Sequence, residues 1–294
     1  MKVLSLFNGM NTGRQALENV GIKVDKYYSS EIKPYAIELT QYHFPDTIQV
    51  GDVTKWREWN IDWKSIDLVL SGSPCQDLSQ IGKRAGINGN KSSLFFTFVE
   101  ILEHIKLLNP RVLFLQENVG SASKLDVGIM SRALGVYPCR INSQLLTAQM
   151  RDRYYWSNIK TKETFFDIVT DIPQPKDKNI ILNDIITSGK VQRNKSLCLI
   201  ERYIGAIPKK EDAIQRFLKN RVDFGSYTVV HEDNKLRAFN KIEMCRLQGF
   251  SDNYCDILSD LEAGSLLGDG WTLPIIEHIF SFINKDKFNN LNNK

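Results

Sequence analysis

Three groups of residues in this chain could do covalent chemistry on a planar heterocycle. The first is Cys75, in Gly72-Ser73-Pro74-Cys75-Gln76-Asp77. It follows Ile66-Asp67-Leu68-Val69-Leu70, an apolar run bounded by turn formers that reads as a buried strand. α/β folds place their ligands just past the C-terminal ends of such strands. Pro74 stiffens the backbone before the cysteine and has no N–H to donate. A cysteine attacks as thiolate, so it needs a positive neighbour or a proton acceptor. The second is Glu117, in Glu117-Asn118-Val119, at the end of another apolar run. Thiolate addition to a heterocycle needs an acid that holds or protonates the ring, and a shielded glutamate can have its pKa raised for that work. The third is Gln149-Met150-Arg151-Asp152-Arg153. Arginines two apart on a strand project to one face and can grip phosphate or a carbonyl oxygen. Each has a plainer reading beside it: a small buried core residue for Cys75, a strand-end ion pair for Glu117, a charged sheet edge for the arginines.

A second set could hold a small ligand. In Phe7-Asn8-Gly9-Met10-Asn11-Thr12-Gly13, the glycines let backbone approach a ligand and open a helix N-terminus toward it. The turn lacks the full G-x-G-x-x-G spacing, which weakens a nicotinamide-cofactor reading. Glu31 stands at the end of a later strand, about 20 residues past the turn, where an acid accepts from ribose hydroxyls. Asp52, after the next strand, could accept from an adenine amino group. Either acid reads equally as a solvated strand-end or helix-cap residue.

These residues need a scaffold that aligns strand ends. Short apolar strands are predicted at 3–7, 26–30, 47–50, 66–71 and 111–116. Helices are predicted at 12–19, closed by Gly21, and from Pro34 to about residue 42. A third is predicted at 93–108, where Leu94, Phe95, Phe98, Ile101, Leu102 and Ile105 fall at helical spacing and Asn109-Pro110 stops the run. Strands separated by helices imply an α/β fold with a doubly wound, mostly parallel sheet. An aromatic strand, Tyr154-Tyr155-Trp156, follows the arginines. Beyond Lys160 the alternation fails. Residues 161–235 are richer in charge, contain Pro173, Pro175 and Pro208, and read as a small insertion. Helices at 241–248 and 273–283 then complete the first domain over 236–284, and 285–294 is a polar tail.

Composition narrows the classes. The chain has 294 residues, 42% of them hydrophobic, enough for one large domain with a smaller one. No apolar stretch approaches the roughly 18 residues of a membrane span, and Asn8, Asn11 and Arg14 interrupt the only segment resembling a leader, so an intracellular protein is the expectation. The five cysteines are scattered without a CxxC pair, which suggests neither a disulfide framework nor a zinc site, and no metal is expected. A net charge of +4 permits an anionic partner without requiring one.

Taken in order, the Phe-x-Gly turn, the strand-end Glu and Asp, Pro-Cys-Gln, Glu-Asn-Val, Gln-x-Arg-x-Arg and Gly268-Asp269-Gly270-Trp271-Thr272 resemble the cytosine-5 DNA methyltransferases. The likeness runs from about Val3 to Asn158 and from about Phe239 to Phe282. Leu4-Ser5-Leu6-Phe7, Thr12-Gly13 and Gly72-Ser73-Pro74-Cys75 are similar to the animal de novo branch, whereas Gln76 matches bacterial and phage members. The resemblance implies a Rossmann-like fold using S-adenosyl-L-methionine and acting on a flipped cytosine of double-stranded DNA. It implies that Cys75 attacks ring carbon 6, that Glu117 binds ring nitrogen 3 and the exocyclic amine, that Arg153 lies near the carbonyl oxygen and Arg151 near the nucleophile and backbone. Pro74, Gln76, Asn118 and Gln149 would complete the substrate site. Phe7, Gly9, Asn11, Thr12 and Ser73 would line the cofactor, with Glu31 on its ribose, Asp52 and Val53 on its adenine, and Gly270, Trp271 and Thr272 at its methionine end, where Asp269 could pair with the ammonium. Asn11 stands where many members have glycine.

The family's sequence-reading region would then fall at about 161–234, with Lys190, Arg193, Lys195, Arg202, Lys209, Lys210, Arg216, Lys219 and Arg221 available to phosphates or simply to a solvated helix. Residues 80–90, with Gly82, Lys83, Arg84, Gly86 and Gly89, would suit a lid over the flipped base. Three other readings stay open: an RNA (tRNA) cytosine-5 methyltransferase, a noncatalytic regulatory homologue, and, from the glycine turn alone, a nicotinamide-dependent oxidoreductase.

Overall fold

Lys2-Val3-Leu4-Ser5-Leu6 alternates too little to leave a face in water, and strand β1 (Lys2–Leu6) is accordingly buried on both sides. The computed structural model describes residues 1–73, 94–201, 204–207, 215 and 228–284. Pro74, Cys75 and Gln76, the expected lid at 80–90, the charged segment 208–214 and 216–227, and the tail 285–294 lie outside the described residues.

The chain continues through α1 (Thr12–Asn19), β2 (Lys26–Ser30), α2 (Pro34–His43), β3 (Ile48–Gln49), β4 (Leu68–Ser71), α3 (Leu94–Leu108), β5 (Leu113–Val119), α4 (Lys124–Leu134), β6 (Cys139–Asn142) and β7 (Asp152–Ser157). Among the described residues these strands form a seven-stranded sheet in the order β3-β2-β1-β4-β5-β7-β6. β1 pairs in parallel with β2 and β4, β2 with β3, and β4 with β5. β7 enters antiparallel to β5, Val119 opposite Arg153 and Leu115 opposite Ser157. The expected mostly parallel α/β sheet is the fold of this chain.

This order sets where chemistry can happen. The chain runs outward from β1 to β3, then returns to lay β4 on the other flank of β1. Such a reversal leaves a crevice at the C-terminal ends of the strands. The residues just past β1, β2, β3 and β4, and the last residues of β5, therefore share one end of the sheet. Because β7 is antiparallel, its first residues start at that same end. Leu4, Leu6, Val69, Phe98, Ile101, Leu102, Phe114 and Trp156 belong to the buried cluster that holds this scaffold.

Some element boundaries differ from expectation. β5 ends at Val119 rather than near 116, because β7 pairs along its length, so Glu117 and Asn118 lie within the strand. β3 shrinks to two residues. Helix α4 is an addition to the expected elements, since Gly128 interrupts its apolar pattern. Its signals are the N-cap Ser123, which accepts from the Asp126 N–H, and Gly135 in the left-handed region at its end.

The remaining elements are the hairpin strands β8 (Thr161–Glu163) and β9 (Ile168–Thr170), the hairpin strands β10 (Val230–Glu232) and β11 (Lys235–Arg237), and helices α5 (Lys241–Gln248), α6 (Asp260–Asp269) and α7 (Leu273–Phe280). α5 and α6 each begin with a capping box, Asn240 with Glu243 and Ser259 with Glu262. No helix among the described residues is long and apolar enough to cross a membrane.

Contacts divide the chain into two compact units, one of residues 1–141, 152–174 and 276–294, the other of 142–151 and 175–275. Residues 142–151 belong with the second unit because Gln149 and Arg151 spend their side chains on residues 198–199, 247 and 268–270.

Candidate active site

The turn after β1 is held in a conformation that side chains resist. Phe7, Gly9 and Asn11 have φ of 56°, 56° and 62°. For the two non-glycine residues this left-handed backbone is strained, and such strain persists where surrounding bonds over-determine it. Here the Asn8 N–H donates to the Ser30 carbonyl at 3.2 Å, and the Gly9 N–H donates to Glu31 Oε2 at 2.7 Å. Asn8 is locked in turn, accepting from Tyr27 Oη at 3.2 Å and donating to Thr40 Oγ1 at 3.3 Å. Burial pushes the Tyr27 phenol far above its ordinary pKa, so it stays a donor. Asn11 and Thr12 are buried at the head of α1, and both polar atoms of the Asn11 amide lack a partner among the described residues. Orphaned buried amides are costly, which marks Asn11 as a group built to meet something else. At Gly13 a Cβ would collide with the end of Leu70, so this glycine lets α1 sit close on the sheet.

Glu31 is a fixed acceptor. Its Oε1 accepts from the N–H groups of Ile32 at 2.8 Å and Lys33 at 3.0 Å, while Oε2 holds Gly9. Beside it Ile32 is 71% exposed, a large apolar face next to a rigid carboxylate and absent from the residues expected at the site. Its only sequence signal is an isoleucine where the strand has already ended. Asp52 caps the next turn, Oδ1 accepting from Thr54 N–H and Oγ1, each at 2.9 Å. The Thr54 N–H, above all, holds the Asp52 carboxyl below its ordinary pKa. Val53 next to it is buried.

Farther along the same sheet end, Glu117 is 9% exposed, and its Oε1 meets Arg153 Nε at 2.8 Å. The strand pairing of β5 and β7 brings the two residues together from positions 36 apart in the chain. Arg153 Nη1 also donates to the Asp152 carbonyl at 2.8 Å, and that carbonyl accepts the Gly120 N–H at 3.0 Å. Arg140 grips the Asp152 carboxylate through two nitrogens and lies over the Tyr154 ring. Asp152, Arg140 and Gly120 are thus supports of the Glu117–Arg153 pair, and no motif in the sequence points to them. Ser73, the last described residue before Pro74, accepts from Gln116 Nε2 at 3.0 Å. Gln116 is fully buried with its Oε1 unpartnered. Asn118 accepts the Val119 N–H at 2.8 Å and is buried with its Nδ2 unpartnered.

The strand spacing expected of the two arginines does not extend to Arg151. β7 starts at Asp152, so Arg151 precedes the strand. It is 3% exposed, and within the second unit its Nη1 donates to Leu199 O at 3.0 Å and Cys198 Sγ at 3.2 Å. Its Nη2 donates to Gly270 O at 2.9 Å and Gly268 O at 3.1 Å. Gln149 also bonds within the second unit, accepting from Leu199 N–H at 2.8 Å and donating to Leu247 O at 3.3 Å. Thr272 donates to Gln248 Oε1 at 2.8 Å and accepts from Ser143 Oγ at 2.9 Å. Trp271 is half-buried and Asp269 exposed. Lys195, expected among the phosphate contacts, instead caps the carbonyls of Gln144, Ile180 and Thr147 at 2.6, 2.6 and 3.1 Å.

Residues 1–136 match the family described as C-5 cytosine-specific DNA methylase. The chain is 30% identical over 205 residues to the orphan methyltransferase M.Rho11sI of Bacillus phage rho11s, covering 65% of this chain and 38% of that protein. It is 30% identical over 209 residues to the type II methyltransferase M.NgoBV of Neisseria gonorrhoeae, covering 64% and 48%. The chain thus spans about half or less of these curated relatives. Type II methyltransferase M1.ScrFI of Lactococcus lactis subsp. cremoris is 27% identical, with 95% of this chain and 76% of that protein covered. Among solved structures, the S. pombe Dnmt2 methyltransferase superposes with a TM-score of 0.66 at 17% identity, covering 96% of this chain and 98% of the other. The Entamoeba histolytica methyltransferase EhMeth does so with a TM-score of 0.66 at 15% identity, covering 98% of each. At these identities the structural likeness speaks for the fold.

Proposed function

We propose that this chain, whose residues 1–136 match the C-5 cytosine-specific DNA methylase family, transfers a methyl group from S-adenosyl-L-methionine to carbon 5 of a cytosine flipped out of double-stranded DNA. The observation that carries this reading is the Glu117–Arg153 pair, 2.8 Å apart and nearly buried, at the sheet end that also holds the Phe7–Asn11 turn and Glu31.

The residues of the first unit fit the adenosyl part of that donor. Glu31 is pinned by three N–H groups, which leaves it a rigid acceptor for vicinal ribose hydroxyls. Exposed Ile32 supplies an apolar face for a purine, and Asp52 an acceptor for an amino group. The orphaned amide of Asn11 offers both a donor and an acceptor at the strained turn. Bound there, the donor supplies an electrophilic methyl on a sulfonium.

The cytosine chemistry falls to the chain's own groups. A proton held between Glu117 and ring nitrogen 3 would bond the two, the other carboxyl oxygen accepting from the exocyclic amine, and so would withdraw electron density from carbon 6. Arg153 holds the Glu117 carboxyl group at 2.8 Å and would donate to the ring carbonyl oxygen from the same planar guanidinium. The resemblance assigns Cys75 the attack: its thiolate sulfur would form a bond to carbon 6, the ring electrons would pass to carbon 5, and carbon 5 would take the methyl as the donor's sulfur–methyl bond breaks, its electron pair staying on sulfur to leave S-adenosylhomocysteine. Loss of the carbon-5 proton returns the electron pair and expels the sulfur as thiolate, so the cysteine is regenerated. The base must leave the stack to be reached.

DNA bearing cytosine fluorinated at carbon 5 tests the reading, since fluorine cannot leave as the proton does. A covalent protein–DNA adduct that forms with the wild-type chain and disappears in Cys75→Ser is the expected result. An adduct that persists in Cys75→Ser would overturn the assignment of the nucleophile. Labelled methyl entering tRNA rather than DNA would replace this substrate with RNA.

A further inference from the structure

Gln116 is fully buried in β5, directly after the apolar residues Leu113-Phe114-Leu115. Its amide nitrogen carries two hydrogens and spends both. Nε2 donates to Ser73 Oγ at 3.0 Å and to the Glu117 carbonyl at 2.6 Å. Its Oε1 is buried and lacks a partner among the described residues. A half-satisfied buried amide is costly, and a methionine of similar length would avoid that cost. Stability alone therefore does not account for a glutamine here. Its place in the sheet does. The parallel pairing of β4 with β5 ends at Ser71 opposite Gln116. Ser73 lies two residues past that pair and two residues before Cys75, and Glu117 lies one residue past it on the other strand. The Gln116 amide thus carries the connection between the two chains beyond the end of the ladder. Glu117 is held twice as a result, its carbonyl by Gln116 and its carboxyl group by Arg153 Nε at 2.8 Å. All of these residues belong to the first unit.

We infer that Gln116 is a positioning residue for the cysteine addition: its amide ties the backbone of Glu117 to Ser73, where the chain leads into Cys75, and it touches neither the base nor the donor. This role presupposes the methyl transfer proposed above. Addition of a thiolate to carbon 6 while a carboxyl group engages nitrogen 3 demands a fixed separation of the two groups. A displacement of about 1 Å can cost about 10²-fold in rate, even when its cause lies away from the reacting atoms. A side chain that links the two strand ends, and spends no donor on ligand, meets that demand at the expense of its own unpaired oxygen.

The rate of adduct formation on DNA carrying 5-fluorocytosine, followed at saturating donor with the full chain, reads the addition step. Gln116→Met keeps the length of the side chain and removes both N–H donors. It is expected to slow adduct formation by about 10- to 100-fold, while the Kd for S-adenosylhomocysteine, the KM for DNA and the urea midpoint stay close to wild type. Ser73→Ala removes one of the two links and should slow the same step by a smaller factor. In the double variant the loss should not exceed that of Gln116→Met alone, because the shared bond is already gone. An unchanged rate in a folded Gln116→Met overturns the inference. So do losses that multiply in the double variant, or a loss of S-adenosylhomocysteine affinity in step with the rate, which would make Gln116 a support of the fold. If Gln116→Met does not fold, an unchanged rate in Ser73→Ala overturns it. If the wild-type chain itself forms no adduct, the functional reading beneath it falls, and this inference with it.

Discussion

At the scale of single residues, the candidate site is a matter of which charges are spent on the protein and which remain for a ligand. Glu117 and Arg153 are nearly buried and joined at 2.8 Å, so removing either leaves the other uncompensated. Arg153→Leu is expected to cost about 3–5 kcal/mol in urea unfolding, the penalty of a broken buried pair. Glu117→Gln keeps the shape and loses the charge. It should lower methyl transfer by about 10²–10⁴-fold, the range for a positioned acid or base, while S-adenosylhomocysteine affinity stays at the wild-type value. Equal loss of both would mean that Glu117 supports the fold and does no chemistry. The supports matter as well. A Cβ on Gly120 would stand 2.8 Å from the Asp152 carbonyl oxygen and 3.0 Å from its carbon, and neither backbone atom can swing aside. Gly120→Ala is therefore expected to destabilise the chain by about 1–3 kcal/mol and to cost activity by displacing Arg153.

At the scale of elements, strand polarity brings distant residues together. The parallel strands deliver the Phe7–Asn11 turn, Glu31, Asp52 and Ser73 to one end of the sheet, and the antiparallel entry of β7 delivers Arg153 there as well. Helices in the second unit depend on caps. Asn240 accepts the Glu243 N–H at 2.9 Å, Glu243 accepts the Asn240 N–H at 3.0 Å, and Asn240 also donates to Thr187 at 2.8 Å. Asn240→Ala should lower the stability of α5 by about 1 kcal/mol, read as faster amide exchange along 241–248. Because α5 ends in Gln248, that loosening should also reach the hydrogen bond to Thr272. The succession of strands along the chain was legible in the sequence because apolar runs punctuated by glycine and proline are local signals. The length of β5 was not, because its last residues are strand only by pairing with β7.

At the scale of the whole molecule, pH and ligand concentration are the available levers. Burial would raise the Glu243 carboxyl, but the Arg237 guanidinium and the N–H groups of Thr187 and Asn240 outweigh it and hold the group below its ordinary value of 4.5. A carboxyl depressed on folding contributes stability that is complete above its unfolded pKa and is lost as pH falls through the folded one. Acidification below 4.5 should therefore weaken the second unit, and in Glu243→Gln the urea midpoint should fall less between about pH 6 and about pH 3 than in wild type. Ligand acts in the opposite sense. S-adenosylhomocysteine at about 100 times its Kd should stabilise the native state by about 2.7 kcal/mol, seen as a rise in Tm that vanishes when the ligand is removed.

The order of the chemical groups along the chain, the glycine turn before a helix and the acids after successive strands were determined by the sequence itself, because each depends on residues a few positions apart. The separate fates of Arg151 and Arg153 were not. Two arginines two residues apart look equivalent in a motif, yet one meets Glu117 across an antiparallel pair and the other meets carbonyls 48 and 117 residues away. Which acceptors a guanidinium finds depends on how the backbone closes on itself, and only the tertiary structure decides that.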